Sequence, residues 1–287
     1  MAKIQLKISS LIFLLLITSC SENSDKDYQI NYKMIKFEKY FGDCDTLNSG
    51  CAKISFEYPE IIKAVDDNVK DSLKSYVMGT LLSNYYEQKV KSLDEMAELF
   101  FDDYESFYSE MPEYKIGWEL NNTISVIFNN SSIVSFQSDF YHYTGGAHGI
   151  SGTLFTNFNS HDGKKLSLDD LLITRYKNKL NDIAEKIFRR NYELTPDASL
   201  EDAGFWFEGN KFALNDNFGI TNDGLIFFFN SYEIAPYATG PTEIIIPYEE
   251  IKELIDTNGL LYRVISISVQ NKLNSLCHRH HYVIIPA

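Results

Sequence analysis

The chain has 287 residues, a formal net charge of −14, 14% aromatic side chains and four cysteines. Its length suits one large domain or two small ones sharing a core, at roughly 100–200 residues per domain. Its acidity excludes nucleic acid as a partner, because phosphate backbones need a basic footprint, and works against adhesion to bare anionic lipid.

Lys3 and Lys7 open the chain, an apolar run from Leu11 to Ile17 follows, and Ile17-Thr18-Ser19-Cys20 closes it. This reads as a secretory signal with a lipobox over residues 1–19. The apolar core is shorter than the roughly 20 residues that a spanning helix needs. The expected product starts at a lipidated Cys20, held at the membrane by acyl chains such as palmitate. The leader carries two lysines and no acid, so the processed chain has 268 residues and a charge of −16. Ser21 in place of Asp after the cysteine points to the outer membrane by analogy with lipoprotein sorting. Residues 20–29 are polar and aperiodic, a tether.

Export makes a Cys44–Cys51 disulfide the expected fate of the closely spaced pair. Closing so small a loop contributes about 2.5 kcal/mol through chain entropy. Zinc is the weaker reading, because no second ligand pair lies nearby, and Cys277 is left over. Ala52, Ile54, Phe56 and Tyr58 alternate with Lys53, Ser55 and Glu57, the period of a half-buried strand, which Pro59 should end. With 32–41 it forms a hairpin.

Two helices follow. Val65, Val69, Leu73, Val77, Leu81 and Tyr85 step by four and so share one face. Ser92-Leu93-Asp94-Glu95 is a capping-box pattern ahead of the stripe Met96, Phe100, Tyr104, Phe107 and Met111. Asp102 and Asp103 read as a solvated flank of that stripe rather than a metal site. Strand patterns return with Trp118–Phe128, Val134–Phe140 and Leu154–Phe158, the first two divided by the turn 129–132. After the turn 161–164, Ser167 opens a short helical segment. Tyr176, Leu180, Ile183, Ala184 and Ile187 mark a longer helix, and 197–219 is irregular. Asn222-Asp223-Gly224 is a turn before the strand Leu225–Phe229. The strand Thr242–Pro247 and a helix over 248–255 complete an α+β fold of antiparallel sheet packed with helices.

Two loops stand out. Gly145-Gly146-Ala147-His148-Gly149 has more glycine than a turn requires, which allows positive φ or close backbone approach. His148 reads as a hydrogen-bonding strut, a ligand contact, or a base or metal ligand. A base would need an oriented acid such as Asp139 or Asp162. Ser151 lacks the spacing of a nucleophile elbow. Tyr232-Glu233-Ile234-Ala235-Pro236-Tyr237-Ala238-Thr239-Gly240 is an ordered, amphipathic loop. Its tyrosines either contact a protein or glycan, or pack inward. His278-Arg279-His280-His281 reads as a polar tail. No zinc-protease motif, P-loop or dinucleotide fingerprint is present, so neither a metal nor a cofactor is expected.

The stretch Tyr141-His142-Tyr143-Thr144-Gly145-Gly146-Ala147-His148-Gly149 resembles the signature of the domain at the start of PdaC-type peptidoglycan deacetylases. The stretch from Asp223 to Gly240 resembles the domain that follows in RsiV-type anti-sigma factors. The resemblance implies a two-part ectodomain, with an N-terminal unit over 30–160, a C-terminal unit over 161–255 and 256–287 outside the pattern. It also implies a binding role, since RsiV binds lysozyme through its ectodomain while PdaC carries its deacetylase chemistry in a separate domain. The expectation is a non-catalytic envelope lipoprotein whose module takes lysozyme or a related muramidase, or else peptidoglycan. Tyr232, Pro236 and Tyr237 would supply contacts, with Gly145, Gly146 and His148 positioning them. An envelope glycan hydrolase or deacetylase and a structural envelope lipoprotein are the alternatives.

Overall fold

The computed structural model describes residues 28–44, 50–83, 90–114 and 116–264. The expected leader, the lipidated Cys20, most of the tether, Cys277 and the histidine-rich tail lie outside them. No described helix is long and apolar enough to cross a membrane.

Strands β1 (Asn31–Gly42) and β2 (Cys51–Lys63) form an antiparallel hairpin. A Cys44–Cys51 disulfide closes it, with Cα atoms 5.2 Å apart. Ala52, Ile54 and Phe56 are buried, as their alternation requires. Pro59 does not end β2, which runs four residues further. Its parallel neighbour β3 (Trp118–Asn129) pairs only with residues 52–57, so only β1 pairs with the stretch around Pro59. Proline is tolerated where the ladder is one-sided.

Between β2 and β3 the chain crosses over through α1 (Asp67–Ser83) and α2 (Leu93–Glu110). The crossover makes this one pair parallel in an otherwise antiparallel sheet. Val69, Leu73, Val77 and Leu81 bury the stepped face of α1. The Ser92 hydroxyl caps α2 by accepting from the Glu95 amide at 3.1 Å, while the Glu95 carboxylate accepts from the Lys91 amide. Asp102 and Asp103 lie on the exposed side of α2. Strands β4 (Ile133–Tyr143), β5 (Ile150–Asn159) and the short β6 (Lys165–Leu166) complete a six-stranded sheet in sequential order.

The second unit packs α3 (Tyr176–Asn191) against a three-stranded antiparallel sheet. Its strands are β7 (Phe218–Ile220), β8 (Gly224–Phe229) and β9 (Thr242–Pro247). The helix expected over 248–255 is one α turn, α4 (Tyr248–Ile251), followed by a 3-10 turn. Two cores result. One lies between the large sheet and α1–α2, around Phe56, Phe100 and Phe136. The other gathers Phe188, Phe227 and Phe229, and also takes Phe128 and Ile133 from β3–β4. Strand β6 belongs to the first sheet, so the units interpenetrate around residue 160 rather than meet at a clean boundary.

The two sheets meet edge to edge without pairing directly. Asparagine carboxamides, which are chemically peptide groups, stand in for the missing strand. Asn157 on β5 accepts from the Ile220 amide at 3.0 Å and donates to the Phe218 carbonyl at 2.9 Å, satisfying the outer edge of β7. In return Asn217 accepts from the Phe155 amide and donates to the Thr153 carbonyl, both at 2.8 Å. Asn230 accepts from the Thr153 amide at 2.7 Å.

Candidate functional site

The face of the large sheet that points away from α1 and α2 is half covered by the second unit. Its open half carries Glu119 and Asn121 on β3, Asp139, Tyr141 and Tyr143 on β4, and Ser151 and Thr153 on β5. Antiparallel register places Asn121 opposite Tyr141, Tyr141 opposite Ser151, and Asp139 opposite Thr153.

The glycine-rich loop leaves the end of this face. Gly145 and Gly146 adopt φ of 107° and 95°, which side chains disfavour. The Tyr143 hydroxyl donates to the Gly146 carbonyl at 3.0 Å and ties the loop to its strand. Gly149 serves a different need: an added Cβ would sit 2.5 Å from the Tyr141 ring, which lies over its backbone. The second loop hangs between β8 and β9. Its Tyr232 has a φ of 69° in the left-handed region, a conformation costing about 1–2 kcal/mol for an ordinary residue. Glu233 holds that turn by accepting from the Asn230 amide at 2.8 Å and from the Asn215 side chain at 2.7 Å. Ile234 and Ala235 anchor the loop in the second core, and Pro236 stays exposed.

These two loops lie 80 or more residues apart in sequence, and folding brings their rings together. His148 stacks on Tyr237 with centroids 4.3 Å apart and planes 12° from parallel. Tyr237 in turn lies 5.4 Å from Tyr232. The result is an exposed aromatic ridge, with Tyr232 56%, Tyr237 42% and the adjacent Tyr141 37% accessible. Burial first, then the nearby Glu119, Tyr143 and Tyr237, raise the Tyr141 phenol above its ordinary range. The inward-packing alternative for Tyr232 and Tyr237 is therefore not what the fold adopts.

His148 Nδ1 lies 2.9 Å from the Gly149 carbonyl, so the ring is both strut and surface. The two acids considered as its partners are engaged elsewhere. Asp139 accepts from the Thr153 hydroxyl at 2.6 Å and from Gln137, and Asp162 accepts from the Lys164 amide at 3.0 Å. Among the described residues no group of three or more His, Cys, Asp and Glu side chains is placed to hold a metal ion.

A larger cleft, about 690 Å³, opens where β5 and β6 face the start of α3. It is lined by Asp169, Tyr176, Asn181 and Asp216 among others. Burial, then Asp169 and Asp216, push the Tyr176 phenol strongly upward. Sequence reading did not single out this cleft, because its walls come from segments that look like ordinary helix start and loop.

Comparison with known proteins matches residues 46–151 to the family "Deacetylase PdaC" and residues 169–249 to "Protein of unknown function (DUF3298)". Over 185 residues the chain is 24% identical to the peptidoglycan-N-acetylmuramic acid deacetylase PdaC of Bacillus subtilis. That alignment covers 63% of this chain and 37% of the relative, so the chain spans little more than a third of that protein. A crystallised DUF3298-family protein from Bacteroides fragilis superposes with a TM-score of 0.67 at 24% identity, covering 84% of this chain and all of that one. Another from Pseudomonas aeruginosa gives 0.57 at 20% identity, covering 79% and 96%. His148 falls in the first match and Tyr232 and Tyr237 in the second, so the ridge is built by both domains. The chain thus carries a PdaC domain followed by a DUF3298 domain.

Proposed function

We propose that this chain is a binding protein of the cell envelope, not an enzyme, held there by a lipid on Cys20. Its ridge of His148, Tyr232 and Tyr237 takes a cationic lysozyme-like protein. The observation that carries this reading is the exposed stack of three rings, contributed by two domains. Rigid aromatic side chains supply contact area at low entropic cost, and they dominate the energetics of protein interfaces. Glu119 lies near Tyr141 and Glu233 follows Tyr232, and the processed chain carries a net charge of −16, so a basic partner would be drawn in at long range. Binding is favoured over catalysis because His148 and Asp139 are bonded to other groups rather than to each other. The Bacillus relative, named for its action on peptidoglycan, supports an envelope role and makes cell-wall glycan the second ligand.

The test is titration of the full chain, in mild detergent, with a cationic lysozyme at 10 mM and 150 mM salt, with lysozyme activity followed in the same samples. The screening length shrinks from about 30 Å to about 8 Å between these conditions, so binding should be saturable and weaken with salt. Tyr237→Ala should raise the dissociation constant about tenfold or more, as loss of a central aromatic does. Unchanged affinity would remove the ridge from the interface. No binding at either salt would turn attention to glycan, with His148→Ala as the first variant.

A further inference from the structure

At the foot of the ridge lies a small pocket of about 150 Å³. Its walls include Asp139, Ser151 and Thr153 from the sheet face and Asn230, Ser231 and Pro241 from the second domain. Ser231 precedes Tyr232, Pro241 closes the loop that carries Tyr237, and Ser151 lies three residues beyond His148. Pocket and ridge are therefore parts of one surface. Sites for whole small molecules run to about 300–1,000 Å³. This one suits the end of a single side chain.

Its chemistry is anionic and incompletely compensated. The Asp139 carboxylate accepts from the Thr153 hydroxyl at 2.6 Å and from Gln137 Nε2 at 2.9 and 3.1 Å. These donors orient the carboxylate but are neutral. Among the described residues Asp139 forms no ion pair. Asn230 is fixed too, its Oδ1 taken by the Thr153 amide at 2.7 Å. A half-buried carboxylate, preorganised and without an ion-pair partner among the described residues, beside exposed tyrosine faces that attract cations, is a receptor for positive charge.

We propose that this pocket receives one ammonium or guanidinium side chain of a protein partner, while the ridge packs on the surrounding surface. The proposal deepens the binding role above, since it names the group the partner presents. Its test is separable from that role. The Asn230 and Gln137 side-chain amide signals of the full chain in detergent are followed by NMR at fixed ionic strength. The probes are acetyl-arginine methylamide, acetyl-lysine methylamide and neutral acetyl-norleucine methylamide.

Either or both cations should give saturable shifts with a dissociation constant of about 1–10 mM, and the neutral probe none. The two cations tell Arg from Lys. Asp139→Asn should abolish the response, as should Ser151→Tyr, which fills the mouth and leaves the carboxylate in place. With hen lysozyme as ligand, each variant should bind about tenfold more weakly or worse. Equal response to the neutral probe, or cation response unchanged in both variants, overturns the proposal. So does lysozyme binding unaffected by either variant, which would leave the ridge reading intact. Asp139-dependent cation binding without lysozyme binding supports the pocket and removes lysozyme as the partner.

Discussion

Replacing Asn157 with alanine is expected to lower the free energy of unfolding by about 3–5 kcal/mol. The residue is 1% exposed and holds three partners. Its Oδ1 accepts from the Ser135 hydroxyl at 2.7 Å and from the Ile220 amide at 3.0 Å, and its Nδ2 donates to the Phe218 carbonyl at 2.9 Å. Alanine leaves all three unanswered in a buried site, and each orphaned group costs about 1–3 kcal/mol. The lost amide volume adds to this, because cores relax only partly around a void. The penalty should be large because this side chain alone satisfies the outer edge of β7, while Asn217 and Asn230 serve the edge of β5. Urea denaturation of wild type and variant measures it. Asn215→Ala is the comparison: that residue is only half-buried, and Asn217 also donates to its Phe228 acceptor, so the loss should be smaller. A cost for Asn157→Ala below about 1 kcal/mol would mean that the Asn157 bonds contribute little to holding the sheets together.

Gly224→Ala should cost about 3 kcal/mol or more, the upper end of overpacking penalties, because what yields must be backbone. A Cβ at Gly224 would fall 2.1 Å from the Ile246 carbonyl oxygen and 2.8 Å from its carbon. Gly224 opens β8 opposite Pro247, and its carbonyl accepts from the Thr221 amide at 3.0 Å, so a shift there breaks turn and ladder together. The loop bearing Tyr232 and Tyr237 hangs from β8 and β9, so the ridge should be disturbed as well. A thermal melt should show a drop of about 6–12 °C, at roughly 2–4 °C per kcal/mol for domains of this size. Gly79→Ala is a control of opposite sign. Gly79 sits mid-helix in α1 with nothing within 4 Å of an added Cβ, so it should gain up to about 1 kcal/mol from helix propensity. Equal melting of wild type and Gly224→Ala would refute the close approach.

Gly224 also shows how sequence reading can be right for an incomplete reason. Asn222-Asp223-Gly224 marks the turn correctly, and the strand after it runs to Phe229 as its apolar run indicates. Yet Gly224 is not among the glycines of positive φ, and close approach of β9 is what requires it. Pro59 is the converse case. Local rules end the strand there, but they do not contain the length of β3, which leaves that part of β2 with pairing on one side only. The short strands β6 and β7 carry too few residues for a period to register and take their conformation from their neighbours.

What the sequence determined by itself is whatever depends on near neighbours. The step of four from Val69 to Leu81 specified a helix face, the alternation of Ala52 to Tyr58 specified a strand face, and Ser92 specified a cap. Each follows from backbone geometry over a few residues. Its two family motifs also marked both loops of the ridge, and the Cys44–Cys51 spacing marked the disulfide. Only the tertiary structure decided that His148 lies on Tyr237, that asparagine amides join the two sheets, and that Asp139 is lodged in a pocket between the two domains. These depend on where distant segments meet. That is set by the packing of two interpenetrating cores and the single parallel crossover through α1 and α2, and neither leaves a periodic trace in the chain.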